Sequence, residues 1–397
     1  MESDRRGSGS VREVFAVFLK LGLTSFGGPI AHLGYFRDEL VVRRRWIDEE
    51  GYGNLVALCQ FLPGPASSQV GFSLGLLRGG GLAGGLAAWL AFTAPSALVL
   101  LAFALGASAL AGPIAEGVLH GLKLVAVAVV AQAVLGMARS LTPDRQRAAI
   151  ALAALAIGLL PAGAFGQVAA IALGAAAGSW LCRDGEAAPA GHVRFPVSRR
   201  GGIVALALFA ALFLLPPLVE AATGLRLLSL FNAFYRSGAL VFGGGHVVLP
   251  LLQAEVVAPG WAGNETFLAG YGLAQAVPGP LFTFAVYLGA VVDGPAGAAV
   301  ALVAIFLPGL VLVYGMLPFW GAVRRRPGAQ AAMRGANAAV VGILAAAFCD
   351  PVWTSAVLSP VDALLALLGF LLLTTVRTPP VVVVAALATA GALLVGA

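Results

Sequence analysis

The chain has 397 residues, of which 60% are hydrophobic and only 11% charged, and its mean hydropathy is +0.94. This composition excludes an ordinary soluble globular domain and indicates a protein of the lipid bilayer. The formal net charge of +6 does not indicate a nucleic-acid partner, because the arginines flank apolar segments as the positive-inside rule predicts.

The chain begins with a polar stretch, residues 1–12, and the first apolar run is soon broken by glycines and a proline. We therefore expect no cleavable signal peptide and a cytoplasmic N-terminus. Later apolar runs each approach the roughly 20 residues that cross a hydrocarbon core. They cover residues 82–106, 117–138, 201–222, 294–320, 333–348 and 361–375. An all-α polytopic membrane protein is predicted.

Two segments ahead of these runs carry a break near their midpoint. Residues 14–40 are interrupted by FGGP (26–29), and residues 51–77 by PGP (63–65). Because proline removes a backbone donor and clashes with the preceding turn, each segment is predicted to form two half-helices. In the second segment these would have roughly 11 to 12 residues and a length of about 17 Å, half a bilayer. We expect both segments to be re-entrant hairpins.

The second half of the chain repeats the first. Residues 15–28 (FAVFLKLGLTSFGG) align with 231–244 (FNAFYRSGALVFGG), 216 residues later, and a second PGP follows at 278–280. Nearly the same register pairs Trp46 with Trp261, Gln60 with Gln275, Pro95 with Pro308, and residues 120–123 with 334–337. Colinear similarity of this kind indicates an internal duplication.

Loop charges predict that the two copies have opposite orientations. Residues 37–45 contain four arginines, whereas their counterpart, residues 253–265, has no basic residue. The later loop does the reverse, because residues 107–117 lack a basic residue and their counterpart, up to residue 334, contains four arginines. Basic loops face the cytoplasm, so we expect inverted-topology repeats, a recurrent arrangement in secondary transporters.

If the two repeats have opposite orientations, the segment between them must cross the membrane an odd number of times. Residues 148–182, interrupted at Pro161-Ala162-Gly163, are predicted to form a hairpin of two short helices, and one further helix then crosses outward. The predicted organisation is a cytoplasmic tail (1–13), a first repeat (14–140), a hairpin with a polar linker (141–200), an inverting helix (201–227), a second repeat (228–350) and C-terminal helices (351–397).

Four breaks would then meet at the membrane midplane. Backbone groups left unpaired at a break cannot face lipid, so they must border protein or a water-filled cavity. Half-helices that begin after a break direct free N–H groups and a positive dipole end into that cavity, which favours an anion. The alternative for a single break is a kink or close packing. The predicted backbone ligands are Gly27, Gly28, Gly64, Gly243, Gly244 and Gly279.

Three cations within apolar segments also favour an anionic substrate. They are Lys20, its repeat partner Arg236, and Lys123. The eighteen acidic residues all lie near termini, connectors or segment ends, so we expect these cations to lack acidic partners and to face the cavity. The alternative is that each snorkels to an interface.

Neutral polar side chains near the breaks are further candidates for an oxyanion site. Ser25, Gln60, Ser67, Ser68, Gln275 and Thr283 flank the breaks. His32 and His246 follow the FGG triplets and could donate a hydrogen bond or carry a proton. The alternatives are packing for the histidines and bonding to their own backbone for the hydroxyls.

No cofactor or metal site is expected, because Cys59, Cys182 and Cys349 are widely spaced without a pairing motif. The chain lacks an HExxH pair and an intramembrane aspartate pair, and we expect no nucleophile elbow. An intramembrane enzyme is therefore disfavoured.

Five elements of the chain resemble the chromate ion transporter family in its long, two-domain form. They are FxxFxKLGLxSFGGP (15–29), RRRWID (43–48), QFLPGP (60–65), FGGGHVVLP (242–250) and YGLAQAVPGP (271–280). The resemblance implies duplicated halves of opposite orientation in a bacterial inner membrane, chromate efflux that gives resistance, and sulfate as a competing oxyanion.

The resulting hypothesis is that chromate enters from the cytoplasm, is held by Lys20, Arg236 and the N–H groups at the breaks, and leaves as one repeat rocks against the other. Two alternatives stay open: uptake or exchange of sulfate or another small oxyanion, and a channel-like anion pore. We expect the protein to lie in the lipid bilayer. Small-residue faces such as residues 79–85 would also permit close packing with a second copy of the chain, as a homodimer.

Overall fold

The computed structural model describes residues 9–107, 112–160, 163–183, 195–324 and 326–395, and within them every regular element is helical. The prediction of an all-α membrane protein is confirmed at this level. The predicted 107–117 loop, the Pro161-Ala162 break, the polar linker and Arg325 lie wholly or partly outside the described residues.

The first half contains eight described α-helices. They are α1 (Val11–Thr24), α2 (Gly28–Phe36), α3 (Glu49–Phe61), α4 (Ala66–Arg78), α5 (Leu82–Ala107), α6 (Pro113–Leu141), α7 (Arg145–Gly158) and α8 (Gly163–Leu181). A π-helical turn, Arg37–Arg43, continues α2. Side-chain caps fix two of the starts: Ser10 accepts from the N–H of Glu13 ahead of α1, and Asp48 accepts from the N–H of Gly51 ahead of α3.

The second half has a similar order of elements, preceded by α9 (Arg199–Thr223). The others are α10 (Arg226–Ala239), α11 (Val248–Leu252), α12 (Asn264–Ala274), α13 (Phe284–Met316), α14 (Trp320–Val323), α15 (Pro327–Ala347), α16 (Thr354–Ala356), α17 (Pro360–Leu371) and α18 (Pro380–Val395). One kinked helix, α13, stands where the first half has α4 and α5, and α14 and α16 are additional short helices. Short 3₁₀ turns, Gly245–Val247 and Leu281–Thr283, precede α11 and α13. Helix α13 is kinked at Asp293 and Gly294, where the backbone leaves helical geometry.

By length and composition, five described helices could each cross a bilayer, and four shorter apolar helices accompany them. The five are Leu82–Gly106, Pro113–Leu141, Arg199–Thr223, Leu281–Met316 and Pro327–Ala356. They match five of the six long apolar runs of the sequence. The sixth run forms one of the shorter helices, Pro360–Val376.

The four predicted helix breaks are present. Helices α1 and α2 are separated at residues 25–27, and α3 and α4 at residues 62–65. Gly27 and Gly64 have φ values of 97° and 119°, and their counterparts Gly243 and Gly279 have 74° and 103°. This left-handed region is open to glycine at little cost. Helices α3 and α4 have 13 residues each, about 20 Å, close to the predicted half-bilayer length.

Helix contacts occur in pairs related by the repeat. Helix α1 packs on α5 as α10 packs on α13. Glycines permit both close approaches: a Cβ on Gly22 would lie 2.8 Å from the Phe92 carbonyl oxygen, and one on Gly238 would collide with the Ile305 carbonyl oxygen. Phe92 and Ile305 are themselves repeat partners.

Helical hairpins link the two halves. Hairpin α7–α8 packs on α15 of the second half, and α17 with α18 packs on α6 of the first half. Gly178 meets the backbone of Gly335 in the first interface, and Gly121 meets that of Leu387 in the second. Each half therefore buries a helix of the other.

Candidate functional site

Reciprocal backbone hydrogen bonds join the four breaks at the centre of the molecule. The Gly64 N–H donates to the Val241 carbonyl oxygen at 2.7 Å, and the Gly279 N–H donates to the Ser25 carbonyl oxygen at 2.9 Å. Ser25 and Val241 are repeat partners, as are Gly64 and Gly279. The PGP break of each half is thus bonded to the residue that precedes the FGG break of the other half.

The long helices buttress this centre in the same reciprocal manner. Gly64 approaches Gly309 of α13, and Gln69 ties them together, because its Nε2 donates to the carbonyl oxygens of Pro63 (2.9 Å) and Gly309 (3.0 Å). A Cβ on Gly279 would lie 2.9 Å from Oγ of Ser96 in α5, the repeat partner of Gly309.

Buried polar atoms without a hydrogen-bond partner among the described residues surround the breaks. They are Ser25 Oγ, His32 Nε2, Ser68 Oγ, Thr93 Oγ1, Gln275 Nε2 and Asn337 Oδ1. An unpaired buried polar group costs about 1–3 kcal/mol, and such groups are rare in native structures without a reason. Their concentration here indicates a place for a polar ligand.

His32 is fully buried in α2, and its two ring nitrogens differ. Nδ1 lies 3.4 Å from Oγ of Ser67 at the start of α4, whereas Nε2 is unpaired. The ring also packs edge-on against Phe92. His32 therefore contacts α4 from α2, and its ring also lies beside the backbone of Ser25 at the first break.

The other predicted neutral candidates have varied surroundings. His246 Nδ1 lies 2.7 Å from the Tyr271 hydroxyl. The Thr283 hydroxyl donates to the Pro280 carbonyl oxygen at 2.7 Å, which is the backbone-bonded alternative for a hydroxyl. Gln60 is exposed at the end of α3.

The expectation that the three intramembrane cations lack acidic partners is wrong. Lys20 Nζ lies 3.3 Å from Glu39, and Lys123 Nζ lies 3.0 Å from Glu265. Arg236 lies 2.6 Å from Glu255. Glu39 and Glu255 are repeat partners on the π-helical turns that follow the FGG half-helices. Folding at each break returns these turns to α1 and α10, so a carboxylate that is distant along the chain reaches the cation.

Lys20 belongs to a charged cluster at the arginine-rich end of the first half. Glu39 also accepts from Arg44 at 2.8 Å and from Arg43 at 3.4 Å. The hydrogen bond from Arg44 is the main cause that lowers the pKa of Glu39 below its ordinary value, and the bond from Lys20 adds to it. The Lys20 side chain is 56% exposed, and its ammonium group lies in this cluster beside Glu39.

Arg236 borders a cavity of 380 Å³ that does not suit a dianion. Glu220 and Glu255 line the same cavity, so two carboxylates stand against one guanidinium. Glu220 also accepts a hydrogen bond from Asn232 of α10. A dianion would be repelled here unless these carboxylates were neutralised.

Residues 71–75 (GFSLG) do have the spacing of a G-x-S-x-G nucleophile elbow, contrary to expectation. An elbow requires a strained strand-to-helix turn that exposes the serine. Ser73 instead lies inside α4, is buried, and donates to the Gln69 carbonyl oxygen at 2.8 Å. This serine has no catalytic geometry.

Sequence reasoning missed four residues that bear on the site: Gln69, Thr93, Ser96 and Asn337. Asn337 is the repeat partner of Lys123, and its Oδ1 faces Gly243. The repeat register was a usable signal for Asn337 and Ser96. Gln69 aligns with Phe284, so only its contact with Gly309 reveals its role.

Comparison with known proteins identifies the family. The family model described as "Chromate transporter" matches residues 12–179 and 228–392. The chain is 31% identical over 365 residues to the chromate transport protein of Pseudomonas aeruginosa, covering 86% of this chain and 81% of the relative. It is 30% identical over 399 residues to that of Cupriavidus metallidurans, covering 98% and 92% respectively. No solved structure matches. The chain belongs to the chromate transporter family, and it is a multi-pass membrane protein.

Proposed function

From this family membership we propose that the protein is a secondary transporter that exports chromate across the inner membrane of a bacterium and so gives chromate resistance. The observation that carries the proposal is the centre formed by reciprocal hydrogen bonds among four helix breaks, with unpaired buried polar atoms around it. The relatives from P. aeruginosa and C. metallidurans are both chromate transport proteins.

The two halves would be inverted repeats whose broken segments enter the membrane from opposite faces. Paired contacts support the duplication, since repeat partners make equivalent bonds across the centre, and the loop charges support the inversion. Arginines also gather at one end: Arg44 reaches Glu13, Arg324 reaches Asn54, and Arg334 bonds carbonyl oxygens at the end of α8. By the positive-inside rule that end, with the N-terminus, would face the cytoplasm.

Neutral donors would hold the anion at the centre. Helices α2 and α4 begin at their breaks, so free N–H groups and the positive end of each dipole point to the same region. Ser25, His32 and Ser68 could add donors, and Gln275 could do so from the second half. A tetrahedral dianion such as chromate has four oxygens to accept them. Sulfate has the same charge and shape and should compete.

Lys20 and Arg236 would act mainly as structural ion-pair partners in this arrangement. Each links the helix before an FGG break to the turn after it through a carboxylate. The opposing hypothesis, direct contact with substrate, makes a different prediction. If Lys20 contacts the substrate, removing Glu39 would free Lys20 and raise the affinity for the anion. If the ion pair is structural, removing either Lys20 or Glu39 would break the link between the helix and the turn.

Membrane potential alone could drive export. A charge that leaves a negative interior gains about 2.3 kcal/mol per 100 mV, or about 4.6 kcal/mol for a dianion. No intramembrane carboxylate dedicated to a coupling cation is required by this scheme.

Chromate uptake into everted membrane vesicles tests the proposal. Vesicles carrying the protein should accumulate chromate above vector-only vesicles, and excess sulfate should slow the uptake. Loss of uptake in His32→Ala with retention in Lys20→Ala would support a site at the breaks, whereas the reverse would support the cations. Absence of uptake above the vector control would refute chromate export.

A further inference from the structure

The two copies differ at one helix interface. Helix α12 of the second half packs along α6 of the first half. Gly272 approaches so closely that a Cβ there would collide with the Leu122 carbonyl oxygen. Lys123, only 6% exposed, reaches from the same face of α6 to Glu265 at the start of α12.

The repeat-related interface, between α3 and α15, has no packing of comparable extent. Gly53, Val56 and Ala57 of α3 are partly exposed, whereas their repeat partners Leu268, Tyr271 and Gly272 are buried. Gln60 is exposed, whereas its partner Gln275 has a buried Nε2. The α3 face that corresponds to the closed face of α12 is therefore accessible.

The accessible face opens at the arginine-rich end of the molecule. Helix α3 follows the basic connector of the first half, and Asn54 on α3 accepts from Trp320 at 2.8 Å and from Arg324 at 3.3 Å. Helix α15 begins just after that arginine and carries Arg334. Glu265 is exposed at the rim of the closed α6–α12 interface, which the proposed inverted orientation would place at the opposite end.

We infer that Lys123 and Glu265 form the outer gate of the transporter, and that Glu50 and Asn337 form its inner gate in a second conformation. The inference rests on the proposed function, in that a transporter must open to each side in turn. Inverted repeats exchange conformations when access alternates. The repeat partner of Glu265 is Glu50, that of Lys123 is Asn337, that of Gly272 is Ala57, and that of Leu122 is Ala336.

In the second conformation α3 closes on α15 as α12 now closes on α6. Glu50 then accepts a hydrogen bond from the Asn337 amide, and Ala57 meets Ala336. The two gates are chemically unequal, because the outer one joins full opposite charges and the inner one joins a carboxylate to a neutral amide. Both hydrogen bonds involve an ionised carboxylate, but only the outer pair adds the Coulombic attraction between two opposite charges, so it is the stronger of the two. The resting state is therefore open to the cytoplasm, where an exporter loads its substrate.

Disulfide formation between Ala57→Cys and Ala336→Cys reports inner closure while leaving both gate pairs intact. Cys59, Cys182 and Cys349 are first replaced by alanine. The pair should cross-link slowly when the outer gate is intact. Adding Lys123→Ala should raise the rate about threefold, because the Glu265 carboxylate is 79% exposed and its ion pair is therefore weak. The exchange Lys123→Glu with Glu265→Lys should restore the slow rate.

The matched control is Arg147→Ala, which removes a surface ion pair with Asp144 and should leave the cross-linking rate unchanged. A rate that is equal with and without Lys123→Ala, or that the charge exchange does not lower, would overturn the inference. Cross-linking needs no chromate, so a failed transport assay would refute the proposed substrate while this result would still decide the gate.

Discussion

In the proposed site, His32 is the side chain that we expect to contact the anion. It lies on α2 just after a break, touches Ser67 across the second break through Nδ1, and keeps Nε2 unpaired. A hydrogen bond to a charged partner is worth about 1.5–3 kcal/mol. The loss of this one group should therefore be visible in transport.

We predict that His32→Ala lowers the initial rate of chromate uptake at least about tenfold at low chromate, because about 1.4 kcal/mol of binding corresponds to tenfold in affinity. Ser73→Ala is the matched control, since that hydroxyl is buried in α4 but bonds its own backbone. Equal losses in both variants, measured as chromate uptake per amount of protein in the membrane, would argue against a specific role for His32.

The two repeat-related cations should differ in their effect on stability. Removing Arg236 leaves Glu255, 13% exposed, without a second cation among the described ion pairs, and a buried acceptor left unsatisfied costs about 1–3 kcal/mol. Removing Lys20 leaves Glu39 bonded to Arg44, and exposed pairs contribute about 0–1 kcal/mol. Arg236→Ala should therefore lower the thermal midpoint in detergent far more than Lys20→Ala.

The double variant Arg236→Ala with Glu255→Ala should recover much of that loss. Comparable midpoints for Lys20→Ala and Arg236→Ala would show that the remaining arginine partners of Glu39 do not account for the difference.

The repeat register pairs Lys20 with Arg236, and it also pairs Glu39 with Glu255. Position along the chain alone nevertheless places these two acids in connectors, away from the cations. Folding at a break brings the connector back beside the helix, so position along the chain does not measure depth in the membrane. Unpaired atoms such as Thr93 Oγ1 depend on side-chain packing and leave no pattern in the sequence.

At the scale of elements, the breaks are held by glycines that approach another backbone. Gly64 combines a φ of 119° with a Cα approach to Gly309, and it donates the bond to Val241. Proline and glycine made the four breaks predictable. The continuity of helix α13 is harder to predict. Its backbone leaves helical φ and ψ values at Asp293 and Gly294, but the helix continues beyond this kink.

Gly64→Ala should abolish transport and reduce the amount of folded protein, because a non-glycine residue held at such a φ costs about 1–3 kcal/mol and the new Cβ would lie 2.9 Å from the Gly309 Cα. Gly136→Ala is the control, since no atom lies within 4 Å of its Cβ position in α6. Size-exclusion profiles and chromate uptake measure the two effects. Normal uptake in Gly64→Ala would contradict the role assigned to this break.

At the scale of the whole molecule, helices of each half cover a long helix of the other half. Hairpin α7–α8 covers α15, while α17 and α18 cover α6. These contacts join residues that are far apart along the chain, such as Gly121 with Leu387, so no local pattern could predict them. The charge pattern nevertheless predicts opposite orientations for the halves.

Opposite orientation can be measured with single cysteines at repeat-related sites in a cysteine-free background. Arg43 and its repeat partner Pro259 are both exposed. In intact spheroplasts a membrane-impermeant thiol reagent should label Pro259→Cys and should label Arg43→Cys only after the membrane is permeabilised. Labelling of both sites from the same side would contradict the inverted arrangement.

The most direct test of the central claim is chromate transport by the purified protein in liposomes with an imposed potential. With the interior positive, the liposomes should accumulate chromate, sulfate should slow the accumulation, and His32→Ala should largely abolish it. Accumulation no greater than in protein-free liposomes at either sign of the potential would contradict chromate transport through the central site.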